Sequence, residues 1–253
     1  MPDEPEVGLD RAEPKAVSVG AARVSPESDE SDQMKGKTLQ MHVDRSRDPA
    51  KNLKREEGLF RRVESGELPE LVRFWIDSKC LVRGKAKNPK YGWYHEALAK
   101  KMGVEVIERA TGGGVVYHDL GNLNWSFFLR NTGRLLSPTQ MFEDASRHVV
   151  GALAELGVQA QFAPPNRIDV QGFKVSGMAA RSTPKVRLVH GTLLIDSDLE
   201  SLNRLCIPPP GCPPVANISQ WTGPIEPASV VRAFVRALRA SGVRVGLASG
   251  GAI

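Results

Sequence analysis

The chain has 253 residues, 41% of them apolar and 25% charged, enough to bury one large core and too apolar for a wholly disordered protein. It has no run of about twenty apolar residues and no apolar signal core at its start, which excludes a membrane helix and favours the reducing cytoplasm. Residues 1–40 hold nine acidic and five basic residues, net −4, so with the whole chain at +5 the remainder carries +9 and calls for an anionic partner.

Residues 1–40 read as a disordered acidic tail, because a stretch such as Ser25-Pro26-Glu27-Ser28-Asp29-Glu30 cannot offset its ordering entropy by burial. A single folded domain is expected over residues 41–253. Asp48-Pro49 opens a helix to Val63, with Leu53, Leu59, Phe60 and Val63 on one face. Strands follow over 71–76 and 80–83, then a helix over 94–102 stopped by Gly103, and a strand over 104–109. After a glycine turn come strands over 115–118 and 124–129, then a helix opened by Ser137-Pro138 and closed by Gly157. Strands recur over 158–162, 168–170, 174–181 and 188–195. A short helix to Leu205, a proline-rich loop over 208–214 and a helix over 227–240 complete the series. Strands linked mostly by hairpins, with a few helices laid on them, predict an α+β fold with a mixed, largely antiparallel sheet.

Three cysteines, Cys80, Cys206 and Cys212, form no CxxC pair, and the histidines have no HExxH spacing, so neither a disulfide framework nor a zinc site is expected. A basic chain often binds nucleic acid, but no RNP-like, KH or helix-turn-helix pattern is present. The most informative stretch is Arg109-Ala110-Thr111-Gly112-Gly113-Gly114-Val115-Val116-Tyr117-His118-Asp119-Leu120-Gly121-Asn122. Successive glycines bare backbone N–H groups to an anion without interference from a Cβ. No Gly-Lys-Ser/Thr follows, so this is no Walker A loop, and Tyr117 stands where a dinucleotide fingerprint needs its third glycine.

This stretch closely resembles the R-x-S-G-G-G-x-V-F-H-D-x-G-N motif of lipoate–protein ligases. Asp48-Pro49-Ala50-Lys51-Asn52-Leu53-Lys54-Arg55-Glu56-Glu57 is similar to their D-P-x-x-N-L-A-x-E-E, and Val82 to Pro89 to V-x-I-G-R-x-Q-N-P. Lys174-Val175-Ser176-Gly177-Met178-Ala179 resembles K-I-S-G-x-A, His190-Gly191-Thr192-Leu193-Leu194 resembles H-G-T-L-L, and Val215-Ala216-Asn217-Ile218 resembles V-T-N-L. The resemblance implies the fold of the biotin/lipoate protein ligase catalytic domain. It also implies a reaction in which ATP and Mg2+ convert lipoate or octanoate to an acyl adenylate. The acyl group then passes to a lysine of a lipoyl domain or a glycine-cleavage H-like protein.

The same resemblance assigns roles. Lys174 would bind the acyl carbonyl and the α-phosphate, and Arg109 the acyl-phosphate end, with Thr111, Gly112, Gly113, Gly114, Tyr117, Ser176, Gly177, Ala179, Gly191 and Thr192 around the ligand. His118 and His190 would frame the site. The family's Asn-Asp pair is altered: Asn166 is in place, but Arg167 stands where Asp is usual. Asp169 shares a strand face with that position and is the candidate metal ligand. The chain ends soon after its last expected helix, as in relatives that work with a separate small accessory subunit. Two alternatives stand beside the ligase. One is an ATP-independent acyltransferase that forms a thioester on Cys212; the other is a binding module that has kept only the fold.

Overall fold

The computed structural model of the protein describes residues 34–85, 93–133 and 135–248. Residues 1–33 of the expected tail, and residues 86–89 of the motif that begins at Val82, lie outside the described residues. The framework is an eight-stranded sheet in the order β13-β1-β2-β7-β11-β10-β9-β8. Its strands are β1 (Thr38–Val43), β2 (Leu71–Trp75), β7 (Asn122–Arg130), β8 (Gln161–Ala163), β9 (Arg167–Val170), β10 (Phe173–Ser182), β11 (Val186–Leu194) and β13 (Arg244–Leu247). β1 runs parallel to both β13 and β2, and the remaining pairs are antiparallel, so the sheet is mixed as expected.

A smaller sheet, β5-β3-β6, comprises β3 (Cys80–Arg83), β5 (Glu105–Glu108) and β6 (Val115–His118). A third pairs β4 (Trp93–Tyr94) with β12 (Cys206–Ile207). The helices are α1 (Pro49–Glu64), α2 (Glu96–Lys101), α3 (Pro138–Ala154), α4 (Leu199–Leu205), α5 (Ser219–Thr222) and α6 (Pro227–Ala240). Among the described residues no helix is long and apolar enough to cross a membrane.

Local chemistry explains the helix starts. Asp48 accepts from the Lys51 amide at 2.9 Å with Pro49 behind it, and Ser137 and Gln140 form a reciprocal capping box at the start of α3. The period-two alternation of β7 then sorts its two faces. Leu123, Trp125, Phe127 and Leu129 point into a core shared with Val149 and Leu153 of α3 and Phe234 and Leu238 of α6. Burial of each such side chain contributes about 1.5–3 kcal/mol. The opposite face carries Asn122, Asn124, Ser126 and Phe128, all buried, and Phe128 packs with Leu59, Phe60 and Val63 of α1.

Register carries that polar face across three strands. Arg73 of β2 and His190 of β11 both pair with Ser126, and Trp75 and Thr192 both pair with Asn124. Two rows of functional groups therefore lie beneath α1 and the smaller sheet.

The boundary drawn at residue 41 is corrected. β1 begins at Thr38, and Met34 and Leu39 are fully buried in the main core. The tail composition continues into Met34 to Lys37 and conceals the alternation of Leu39 and Met41, which is what the sheet reads.

Candidate active site

Lys174 is placed by its backbone on both sides. On one flank it pairs with Asp169 across the β9–β10 hairpin, whose turn residues Gln171 and Gly172 both have positive φ (50° and 84°). On the other flank its amide donates to Pro214 at 2.8 Å, and its carbonyl accepts from Ala216 at 3.1 Å, in a parallel bridge to Val215. The side chain borders two adjoining cavities of about 160 and 190 Å3. Among the described residues it has no ion-pair partner. Among the described residues no Asp or Glu borders either cavity. An ammonium without a counter-charge, set between two cavities, is a ready site for a developing oxyanion.

The first cavity is bordered by Arg109, Gly113, Gly114, His118, Asn166, Ala179, His190 and Gly191, all singled out from the sequence. Tyr117 and Ser176 border the second, while Gly177 and Thr192 border both. The glycine loop lies against Gly84, where an added Cβ would overlap the backbone of Gly112 and Gly113. No side chain can stand at this crossing, which is why the segment after β3 carries a glycine there.

Three expected residues lie outside both cavities. Thr111 is 1% exposed and serves the loop from behind. Gly112 offers its carbonyl to Arg109 at 2.8 Å. Asp169 corrects the expectation of a metal ligand: Arg167 Nε donates to both of its oxygens, at 3.1 and 2.9 Å, and it borders neither cavity. Asp169 is therefore not offered to a cation in either cavity.

Arg109 is partly committed to architecture. Of its five N–H groups, three donate to Thr111 Oγ1 (2.9 Å), the Val82 carbonyl (3.1 Å) and the Gly112 carbonyl, leaving two for the cavity. Burial lowers its pKa to about 10, against the attraction of Glu56. The Thr111 hydroxyl accepts from Arg109 and also lies 2.8 Å from His190 Nε2. His190 Nδ1–H then donates to Glu56, 3.0 Å from both carboxylate oxygens, and Ser126 Oγ donates to Glu56 at 2.6 Å. Burial pushes the Glu56 carboxyl up, but the charge and hydrogen bond of His190, with Arg73 and Ser126, outweigh it and hold the group down at about 2.

A second chain of contacts reaches His118. Asp44 accepts from Arg73 Nε (2.6 Å), Arg73 donates to Asn52 Oδ1 (3.1 Å), and Asn52 Nδ2 donates to Asp77 (2.7 Å). His118 Nδ1 donates to Asp77 at 2.9 Å. Asp119 accepts from the amides of Gly121 (2.9 Å) and Asp198 (2.7 Å), an architectural role.

Sequence reasoning missed Glu56, Asp77, Trp75 and Asn124. The available signal was in α1, where Asn52 and Glu56 lie on the same buried stripe as Leu59, Phe60 and Val63. Polar groups on an apolar stripe are buried for a purpose. Of the cysteines, Cys80 is buried with its thiol pushed up by burial and nearby carboxylates, while Cys206 and Cys212 border the second cavity. Burial pushes the Cys206 thiol up to about 12 despite Lys174 nearby, which leaves it a poor nucleophile.

Known proteins resemble this chain in both sequence and fold. It is 34% identical over 154 residues to a probable lipoate–protein ligase A of Mycoplasma pneumoniae, covering 61% of this chain and 44% of that protein. It is 33% identical over 153 residues to a lipoate–protein ligase of Bacillus subtilis, covering 60% and 44%. The chain thus matches less than half the length of these relatives. Among solved structures, the bipartite lipoate protein ligase of Thermoplasma acidophilum superposes with a TM-score of 0.71 at 23% identity, over 86% of this chain and 88% of that one. A lipoate–protein ligase A bound with ATP superposes with a TM-score of 0.72 at 24% identity, over 85% and 89%. The sequence model of the lipoyl protein ligase A/B catalytic domain matches residues 48–239, and the chain belongs to that family.

Proposed function

We propose that the chain is the catalytic unit of a lipoate–protein ligase, which uses ATP to activate lipoate or octanoate and transfers the acyl group to a lysine of an acceptor protein. The observation that carries this reading is Lys174, an ammonium without an ion-pair partner among the described residues, placed where two cavities meet. An acyl adenylate needs that arrangement, because a chain and a nucleotide diverge from one acyl phosphate. The acyl chain lies in the cavity bordered by Leu53, Trp75, Val82 and Met178, and the nucleotide in the one bordered by Tyr117, Ser176 and Val215.

In the first step the acid's carboxylate oxygen bonds to the α-phosphorus of ATP and pyrophosphate leaves with the electrons of the broken P–O bond. Lys174 offsets the charge that gathers on the phosphoryl oxygens, and the glycine loop adds backbone dipoles without side chains in the way. In the second step the acceptor lysine amine attacks the acyl carbon and AMP leaves. Lys174 then faces the carbonyl oxygen as it gains charge. Glu56 and Thr111 act behind the wall and His190 within it, together holding Arg109 and the loop in register. Magnesium would enter as a chelate of the nucleotide's own phosphates, since the described residues bordering the cavities include no carboxylate.

The acceptor class is a lipoyl domain or a glycine-cleavage H-like protein, with a separate small accessory subunit completing the enzyme, in the cytoplasm. A body of net charge +9 suits an acidic protein partner. Cys212 at the second cavity keeps one rival in view, a thioester acyltransferase that needs no ATP. Incubation of the full chain with lipoate, Mg-ATP, a lipoyl domain and the accessory subunit should release pyrophosphate and modify the domain. Replacing both Cys206 and Cys212 by Ser should leave that activity largely intact. Transfer from an acyl carrier without ATP, abolished by the double replacement, would establish the rival instead.

A further inference from the structure

Residues three apart on a regular strand face opposite ways, but Lys174 and Gly177 do not. Lys174 pairs with Asp169 and Gly177 with Arg167, and the register slips between Lys174 and Ser176. Residues paired directly across two antiparallel strands share a face, and so do 167 and 169, two apart on β9. The slip is a β-bulge that leaves Val175 unpaired with β9 and turns Gly177 onto the lysine's face. Burial agrees, since Lys174 and Gly177 are half-buried while Val175 and Ser176 between them are buried. Lysine and glycine then border both cavities together. The lysine fills the space that results. A Cβ added at Gly177 would stand 3.1 Å from Lys174 Cε and 3.2 Å from Nζ. Chain neighbours apart, no other atom of the described residues lies within 4 Å of that Cβ. The lysine thus runs back along its own strand and lays its ammonium against the bare glycine. Gly191 on β11 differs: a Cβ there would meet Trp125 at 2.5 Å, so that glycine serves the core.

We propose that Gly177 is a positioning residue, bare so that Lys174 and not the ligand occupies the space beside it, with the bulge at Val175 bringing the two together. The inference rests on the acyl-ligase reading above for the task of the ammonium. A charge that meets a developing oxyanion must be held in place, and a misplacement of about 1 Å can cost about a hundredfold in rate. An alanine Cβ would push Nζ away by on the order of 0.5 Å, because atoms in ordinary contact stand about 3.5–4.0 Å apart. It would touch nothing else, so its effect travels through the lysine.

Pyrophosphate release by the full chain, Gly177→Ala, Lys174→Ala and the double variant, with lipoate and Mg-ATP, forms a cycle that tests this. Gly177→Ala should lower kcat by about tenfold and leave the melting temperature unchanged or raised. KM for lipoate and for ATP should stay within about twofold, as the contact is made in the transition state. In the Lys174→Ala background the same change should cost less than about twofold, because no ammonium is left to displace. A glycine that made room for the ligand would instead raise KM, and its loss would multiply with that of Lys174. Either of those results, full kcat in Gly177→Ala, or its failure to fold would overturn the proposal. Crystal structures of the unmodified chain and of Gly177→Ala supply a readout that needs no turnover. Nζ should be displaced in the variant, and an unmoved Nζ would overturn the positioning role alone. An unmodified chain that releases no pyrophosphate would count against the ligase reading, and the position of Nζ would still decide this one.

Discussion

Glu56→Gln isolates the electrostatic part of the relay behind the site. The change keeps the side chain's shape on α1 but removes the negative charge that accepts from Ser126 at 2.6 Å and from His190 at 3.0 Å. The folded carboxyl sits at about 2 against an ordinary 4.5. A depression of that size corresponds to about 3 kcal/mol of stability. The loss of one or two charged hydrogen bonds, each about 1.5–3 kcal/mol, gives the same order. For a domain of this length the melting temperature should drop by roughly 6–12 °C.

The sign with pH follows from the depression. Glu56 contributes fully above the unfolded value of 4.5, and the contribution fades as pH falls toward 2. The Gln variant has no such group to titrate. Melting curves of the unmodified chain and of Glu56→Gln from pH 7 down to pH 3 should therefore converge as the solution is acidified. A gap that stays constant over that range, or no gap at neutral pH, would refute the electrostatic account of this residue.

Lys174→Ala should lower adenylate formation and acyl transfer by about a hundredfold or more, a loss of about 2–4 kcal/mol in the transition state, with the melting temperature nearly unchanged. Pyrophosphate release and thermal unfolding on the same preparation would check both halves. Leu39→Ala should cost about 2–5 kcal/mol, because the side chain is fully buried between β1 and the helices. Deletion of residues 1–33, whose acidic and proline-rich composition offers little to a core, should leave thermal unfolding within error.

How much could be read in advance varied with the kind of signal. The cap at Asp48, the box at Ser137 and the alternation along β7, β10 and β11 are local, and each predicts its element. β1 and β13 were hidden because their pairing is long-range. β13 is a mostly exposed edge strand containing Gly246, and among the described residues it pairs with β1 alone, far away in the sequence. The glycine loop and Lys174 could be placed because a motif ties composition to geometry. Asp169 could not, for a reason in the same rule that suggested it. Residues two apart on a strand share a face, so the alternation that aligned Asp169 with position 167 also set it beside Arg167, which captured it. Asp77 gave no local signal; its importance comes from partners on α1, β2 and β6 that meet only in the folded state.

The parallel bridge between Lys174 and Val215 has a mechanical consequence. The proline-rich segment that walls the second cavity is fastened at its C-terminal end through the main chain of Lys174, and beyond it through the carbonyls of Leu194 and Ile195. Peeling that segment from the sheet would break the amide contacts of Lys174 and Ala216 together, which couples the wall to the lysine. Any displacement of that segment from the sheet therefore also displaces the backbone that carries the ammonium.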